Sequence, residues 1–346
     1  MAERDLIERL DDAVEAILAG RRDGLALAEP ELATLLVVAG DLRDLPDPNF
    51  KSKLKAELMP ALENDMTTMT AEATKTGFHT ITPYLNAEST DGVIAFLQET
   101  LGAELKARHP APDGHRVMHA EVRVGDSMIE MGDVEGEFKP FPMALHVYID
   151  DVDGAYARAL AAGATAMQPL TDQPYGDREG GVKDRWGNIW YLATHQENVS
   201  EEELQRRFGG SGSKPRKEPG VGPRPEGYFT ITPFLHARGA RALISFLENA
   251  FGATVEHVTE MAGREVAHAG VRIGDSMIEL GEAHDDAQPM PAAIHIYVPD
   301  VDATYERALR AGARSVRPPA DAPYGERGAF VIDPFENHWY IATVNA

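Results

Sequence analysis

The chain repeats itself. Gly77–Ala103 (GFHTITPYLNAESTDGVIAFLQETLGA) matches Gly227–Ala253 (GYFTITPFLHARGARALISFLENAFGA), and after a one-residue deletion Val117–His195 matches Val266–Val344. Roughly 50 of about 118 aligned positions are identical, which is far beyond chance. A unit of that length is longer than a solenoid repeat and can fold as a domain of its own. The duplication divides the chain into a lead segment, 1–75, a first domain, 77–195, a connecting stretch, 196–226, and a second domain, 227–346.

Each unit reads as strand, helix and further strands, twice over, an α+β pattern of two βαβββ modules. Thr80–Asn86 is a β-type run; Ser89 or Thr90 can cap a helix with Val93, Phe96, Leu97 and Leu101 on its apolar face and Gly102 as its stop. Val117–Val124 and Ser127–Met131 flank Gly125-Asp126, a glycine-first loop suited to a hairpin. The second module follows with strand Ala144–Ile149, a helix capped by Asp150 or Asp151 and ended by Gly163, and strands near Val182 and at Ile189–Thr194 joined by Trp186-Gly187-Asn188. Ser200-Glu201-Glu202-Glu203 opens a short helix ending near Phe208, ahead of the flexible GGSGSKPRKEPGVGPRP. The lead segment has helical periodicity at Leu6, Leu10, Val14 and Ile17–Leu18 and again over Glu31–Leu42; a small helical hairpin or bundle is expected there.

Charge narrows the partners. The net charge is −23, and by segment it is about −7, −9, 0 and −7 from lead to second unit, so acid covers every folded part. Such a surface repels phosphate backbones and anionic lipid, which argues against nucleic-acid and membrane partners; it either favours cationic ligands or serves only to keep the protein soluble. Without cysteine the chain has no disulfides, thiol nucleophiles or thiolate metal sites. No apolar run approaches the ~18 residues of a membrane span, and the acidic start is unlike a secretory signal, so a cytoplasmic address is expected.

As a set, His119-Ala120-Glu121-Val122-Arg123-Val124-Gly125-Asp126-Ser127, Asp151-Val152-Asp153, Pro174-Tyr175-Gly176-Asp177-Arg178 and Asp184 through Gly187-Asn188 with Trp190 and Ala193-Thr194 resemble the vicinal-oxygen-chelate superfamily. That superfamily spans glyoxalases, bleomycin-resistance proteins and extradiol dioxygenases, and the likeness is strongest to its PhnB-like branch. The resemblance covers both units and implies tandem domains of paired βαβββ modules closing into cup-shaped mixed sheets around a ligand. It does not name that ligand, because the superfamily contains both metal enzymes and drug-sequestering proteins.

In metal-dependent members the resemblance implies one ligand on the first and one on the fourth strand of each module. Those positions fall at Thr82, Glu130, Ala144 and Tyr191 in the first unit and at Thr232, Glu279, Ala293 and Tyr340 in the second. One carboxylate with a hydroxyl, a methyl and a phenol is a poor cage for a divalent cation, so no metal or other cofactor is expected at them. A two-residue slip in register would bring in His146 and His295, leaving Glu130, His146, Glu279 and His295 as the alternative metal candidates.

Strand alternation, with Glu130 taken as inward, sets Arg123 opposite Met128 and Glu121 opposite Glu130. The expected inner face of the first unit is His119, Glu121, Arg123, Glu130 and His146, with Tyr191; that of the second is His268, Arg272, Glu279 and His295, with Tyr340. This set can form an internal hydrogen-bonded network, bind a polar ligand or hold a metal. No catalytic residue can be assigned from it. Arg178 in the Tyr175-Gly176-Asp177-Arg178 loop can anchor a carboxylate within the fold or clamp a ligand. Trp190 and Trp339 fall on the alternate face, under the helices. The copies differ in lining, with Glu121 becoming Gly270, Asn86 becoming His236 and Tyr84 becoming Phe234. Three functions compete. The leading one is a metal-independent small-molecule binder, in which the tandem supplies within one chain the halves that relatives bring together by dimerising. The others are a metal-dependent lyase or dioxygenase, and a metabolite-sensing regulator whose lead segment docks a protein partner.

Overall fold

The computed structural model describes residues 74–112, 114–134, 139–261, 264–284 and 287–344. The helical lead segment expected over 1–75 lies, but for its last two residues, outside them. Sixteen strands and five helices are described. The first unit runs β1 (Ile81–Ala87), α1 (Thr90–Leu101), β2 (Glu104–Pro110), β3 (Val117–Val124), β4 (Ser127–Asp133), β5 (Ala144–Tyr148), α2 (Val152–Ala161), β6 (Thr165–Asp172), β7 (Asp177–Lys183) and β8 (Ile189–His195). After α3 (Glu201–Phe208) in the connection, the second unit repeats the order. Its elements are β9 (Ile231–Ala237), α4 (Ala240–Phe251), β10 (Thr254–Met261), β11 (Arg264–Ile273), β12 (Ser276–Glu282), β13 (Ala293–Tyr297), α5 (Val301–Arg310), β14 (Arg314–Asp321), β15 (Glu326–Ile332) and β16 (His338–Val344).

Local signals act as their chemistry dictates. Ser89 caps α1 by accepting from the Gly92 amide, and Gly102 ends it at φ +66°. Asp151 caps α2 and Ser200 caps α3 in the same way. Asp184 holds the Trp186-Gly187-Asn188 turn. Its Oδ1 accepts from the amides of Trp186 and Asn188, both at 2.9 Å, and its Oδ2 accepts from Asn188 Nδ2 at 2.8 Å and Trp190 Nε1 at 3.1 Å. Asp333 does the same for Asn337 and Trp339. Both indoles are buried, as alternation requires.

The four modules pair across the duplication. One eight-stranded sheet has the order β14-β15-β16-β13-β1-β4-β3-β2 and the other β10-β11-β12-β9-β5-β8-β7-β6. Each therefore joins the first module of one unit to the second module of the other, through the antiparallel pairs β1–β13 and β5–β9. Within a module the central strands are parallel, β1 with β4 and β5 with β8, and the outer ones antiparallel. One face of each sheet is apolar and covered by helices: Ile81, Leu85, Ala120, Val122, Ile129, Ile294, Trp339 and Ile341 form it in the first sheet, all buried in one continuous core. The two helices of a unit also touch, with Arg158 Nε on the Thr100 carbonyl at 3.1 Å and Arg307 Nε on the Ala250 carbonyl at 3.2 Å.

The hairpin turns fasten the units together. Asp126 Oδ1 accepts from the Thr230 amide at 2.8 Å, Ser127 Oγ from the Ile231 amide at 3.0 Å, and Arg224 pairs with Asp126. The symmetric clasp uses Asp275 with the Thr80 amide at 2.9 Å and Ser276 with the Ile81 amide at 3.1 Å. Gly125 adopts φ +57°, and a Cβ there would meet Thr230 Oγ1 at 2.3 Å, so the turn needs glycine for its backbone and for the neighbour it docks on. Among the described residues no helix is long and apolar enough to cross a membrane.

Candidate functional site

The faces opposite the helices carry the polar residues. Side chains from strands two apart in the sheet meet there, as His146 on β5 and Glu279 on β12 do, so each of these faces, or bowls, brings together groups from several strands. The register expected for the β3–β4 hairpin holds, with Arg123 against Met128 and Glu121 against Glu130.

The first bowl, from β1–β4 and β13–β16, centres on Glu130, whose Oε2 lies 2.6 Å from His295 Nδ1. His119 Nε2 is 3.2 Å from Glu121 Oε1 and 3.8 Å from Glu130 Oε1. The Lys75 ammonium, arriving from just before β1, pairs with Glu121. Hydrogen bonds from His119 and Lys75, outweighing partial burial, lower the Glu121 pKa to about 2. Tyr84 and Tyr340 flank the acids with ring centroids 5.0 Å apart, and Phe330 lies 4.7 Å from Tyr340. Tyr297 stacks on His295 and donates to Glu326 Oε1 at 3.1 Å.

The second bowl, from β9–β12 and β5–β8, repeats the central pair, with His146 Nδ1 at 2.7 Å from Glu279 Oε2 and His268 Nε2 at 3.4 Å from Glu279 Oε1. Asp177 matches Glu326 of the first bowl, and the second module adds Glu179, where the first bowl has Gly328. His146 Nε2 faces Glu179 Oε2 at 3.5 Å. Tyr175 donates to Glu179 Oε2 at 3.0 Å and Tyr148 to Asp177 Oδ2 at 3.2 Å, while His195 Nδ1 sits 2.6 Å from Asp177 Oδ1. Burial alone would lower the His146 pKa, but the charge of Glu279 and its hydrogen bond, then Glu179 and Asp177, push it up to about 9. Glu279, though buried, is held far below the usual carboxylate range by His146 and His268. Burial raises Glu179, raises Tyr191 to about 12 and lowers His236, which meets Tyr191 at 3.2 Å, to about 4.

Several expectations need correction. Glu130 and His146, read as neighbours within one unit, lie in different sheets, because β5 pairs with β9 and not with β1. Each glutamate meets the imidazole of the other unit. Arg123 and Arg272 are turned to the rims, where they pair with Glu104 and Glu256. Arg178 is a carboxylate anchor: it grips Asp153 through two nitrogens at 2.8 and 2.7 Å and also reaches Asp172, and Arg327 treats Asp302 and Asp321 likewise. Tyr191 and Tyr340 keep the inner face, in opposite bowls. The sequence reading missed Asp177, Glu179, His195 and Lys75. Asp177 and Glu179 alternate with Arg178 and Gly180 and could have been found by extending that strand back from Val182.

A divalent metal implied by the fold does not fit the family positions. These regroup as Thr82, Glu130, Ala293 and Tyr340 in the first bowl and Thr232, Glu279, Ala144 and Tyr191 in the second, and in each the single carboxylate is already engaged by an imidazole. A cleft of about 610 Å³ opens outside the bowls, at the junction of the units, lined among others by Asp126, Asp151, Arg158 and Arg224.

Comparison with known proteins agrees with this architecture. The model of the Glyoxalase/Bleomycin resistance protein/Dioxygenase superfamily matches residues 77–192 and 235–341. An uncharacterized protein of Mycobacterium bovis is 29% identical over 143 residues, 38% of this chain and 93% of that protein, and one from Mycobacterium tuberculosis is 29% identical over 38% of this chain and 84% of its own length. Glyoxalase I from Zea mays superposes with a TM-score of 0.52 at 15% identity, over 77% of this chain and 92% of that one, a likeness of fold alone. The chain belongs to the Glyoxalase/Bleomycin resistance protein/Dioxygenase superfamily, with two tandem domains.

Proposed function

We propose that this protein is a small-molecule-binding member of its superfamily and that its first bowl receives a compact organic cation without help from a metal at the family positions. One observation carries the reading: the Lys75 ammonium seated on Glu121 at the bowl's inner face, 4.6 Å over the Phe78 ring. An ammonium held between carboxylate and aromatic ring is the arrangement by which proteins recognise cationic ligands. Glu130 and the rings of Tyr84, Tyr340 and Phe330 extend the same chemistry inward. An amine-bearing ligand would displace Lys75 and take over its carboxylate. No reaction is assigned.

Calorimetry on chelator-treated protein tests this with matched amine and carboxylate ligands. The cations should bind, Lys75→Ala should tighten them, and Glu121→Gln should weaken them by about tenfold or more, the weight of one charge-assisted contact of about 1.5–3 kcal/mol. Preference for the anionic ligands, or cation binding indifferent to Glu121→Gln, would refute the reading. The role of the lead segment as a dock for a protein partner, and a cytoplasmic location, are part of the same proposal and are separable from it by truncation before Thr74, which keeps Lys75 on Glu121, and by localisation in cells.

A further inference from the structure

The second bowl differs from the first in the source of its charge. It gathers three buried carboxylates, Asp177, Glu179 and Glu279, and the position matching Lys75 by the repeat is Pro225, so the first bowl's ammonium has no counterpart at that position. We infer that this bowl holds one divalent first-row transition-metal ion between His146 Nε2, Asp177 and Glu179, displaced from the positions used elsewhere in the family onto strand β7. The ligand atoms of these three residues lie within 4.8 Å of one another. An ion with ~2.1 Å bonds spans ligands up to ~4.2 Å apart, so sub-ångström side-chain shifts close the site.

The observation that points to a ligand is the His146 ring itself. It is 6% exposed; its Nδ1 is committed to Glu279, and its Nε2, aimed between the two acids, makes no hydrogen bond among the described residues. A histidine that gives one ring nitrogen to a carboxylate and presents the other, buried and unused, is arranged as metal-binding histidines are. The acids are oriented likewise, Asp177 by His195 and Tyr148 and Glu179 by Tyr175. An imidazole and two carboxylates without sulfur suit Mn²⁺, Fe²⁺, Co²⁺ or Zn²⁺. The first bowl cannot repeat the set, because Gly328 stands where Glu179 does and Val344 where His195 does. The inference is independent of the cation-binding reading of the first bowl, and variants of the two bowls keep them apart.

The test is Co²⁺ added to the full-length, chelator-treated protein, followed by visible absorption and metal analysis after desalting. One ion per chain is expected, retained by Glu121→Gln and lost in Glu179→Gln and in Asp177→Asn. Tyr175→Phe, which removes only an orienting hydrogen bond, should weaken binding about tenfold. Circular dichroism identifies any variant that fails to fold; for such a variant, paramagnetic shifts of the His146 ring protons in the unmutated protein, assigned by His146→Gln, replace it as the readout. Absence of stoichiometric Co²⁺, two ions per chain, retention of the ion by folded Glu179→Gln, or His146 protons unshifted by bound Co²⁺ would each overturn the assignment.

Discussion

His146 and Glu279 show how a single pair governs the second bowl. Both are buried, so removing one partner strands the other charge, and Glu279→Gln should cost about 3–5 kcal/mol in urea unfolding at neutral pH. The pair also makes a signed prediction about pH. The folded state raises His146 from 6.5 to about 9, so its contribution is complete below pH 6.5 and lost as pH rises through 9. His295 in the first bowl, raised by Glu130, acts in the same direction. In the metal-free protein urea midpoints should therefore fall between pH 6.5 and pH 10, and His146→Gln should flatten that fall; an unchanged slope in the variant would contradict the pairing of His146 with Glu279. At this scale the sequence was partly legible. Alternation placed Glu121, Glu130, His119, Tyr191 and Tyr340 on inner faces, and it placed both tryptophans beneath helices. It missed Asp177 and Glu179 because Gly180-Gly181 dilutes the two-residue period of β7 to the point where the segment reads as a loop. It put Arg123 and Arg272 inward because alternation fixes a face and says nothing of how far a long side chain reaches toward a partner on the rim.

At the scale of elements, the two β-hairpin turns do more than reverse the chain. Gly125-Asp126 and Gly274-Asp275 were readable as turns from glycine and aspartate alone, and the structure gives their aspartates a second task, holding the start of the other unit's first strand. Asp126→Ala should lose about 1–3 kcal/mol by leaving the Thr230 amide unsatisfied. Gly125→Ala should destabilise through the positive φ and the contact with Thr230, whereas Gly102→Ala, also at positive φ but with nothing within 4 Å of its Cβ, should cost only the backbone term. Equal losses at the two glycines would show that the Thr230 contact is unimportant. Helix starts were legible at Ser89, Asp151 and Ser200, because capping chemistry is local. The partner of β5 was not, because nothing in its residues distinguishes β1 from β9 as its neighbour: the two first strands share ITP and a leucine.

For the whole molecule, the duplication makes one compact arrangement from two units that each leave both sheets half built. Cleaving an engineered protease site between Gly220 and Val221 should leave the halves bound to each other at full mass in gel filtration, held by β1–β13 and β5–β9. Because the bowls draw on both units, differences between the copies do not give one altered bowl and one original bowl. They give two mixed bowls, one with Glu121 and Lys75 and the other with Glu179 and His195. The absence of cysteine allows a direct test of this exchange. Thr82 and His295 are antiparallel Cα partners, and side chains so placed stand ~5 Å apart at Cβ, within reach of a disulfide after slight adjustment, whereas Thr82 and His146 belong to different sheets. Intact-mass analysis of oxidised, monomeric protein should show an intrachain link in Thr82→Cys/His295→Cys and free thiols in Thr82→Cys/His146→Cys. A link in the second variant and none in the first would mean that each unit closes its own bowl.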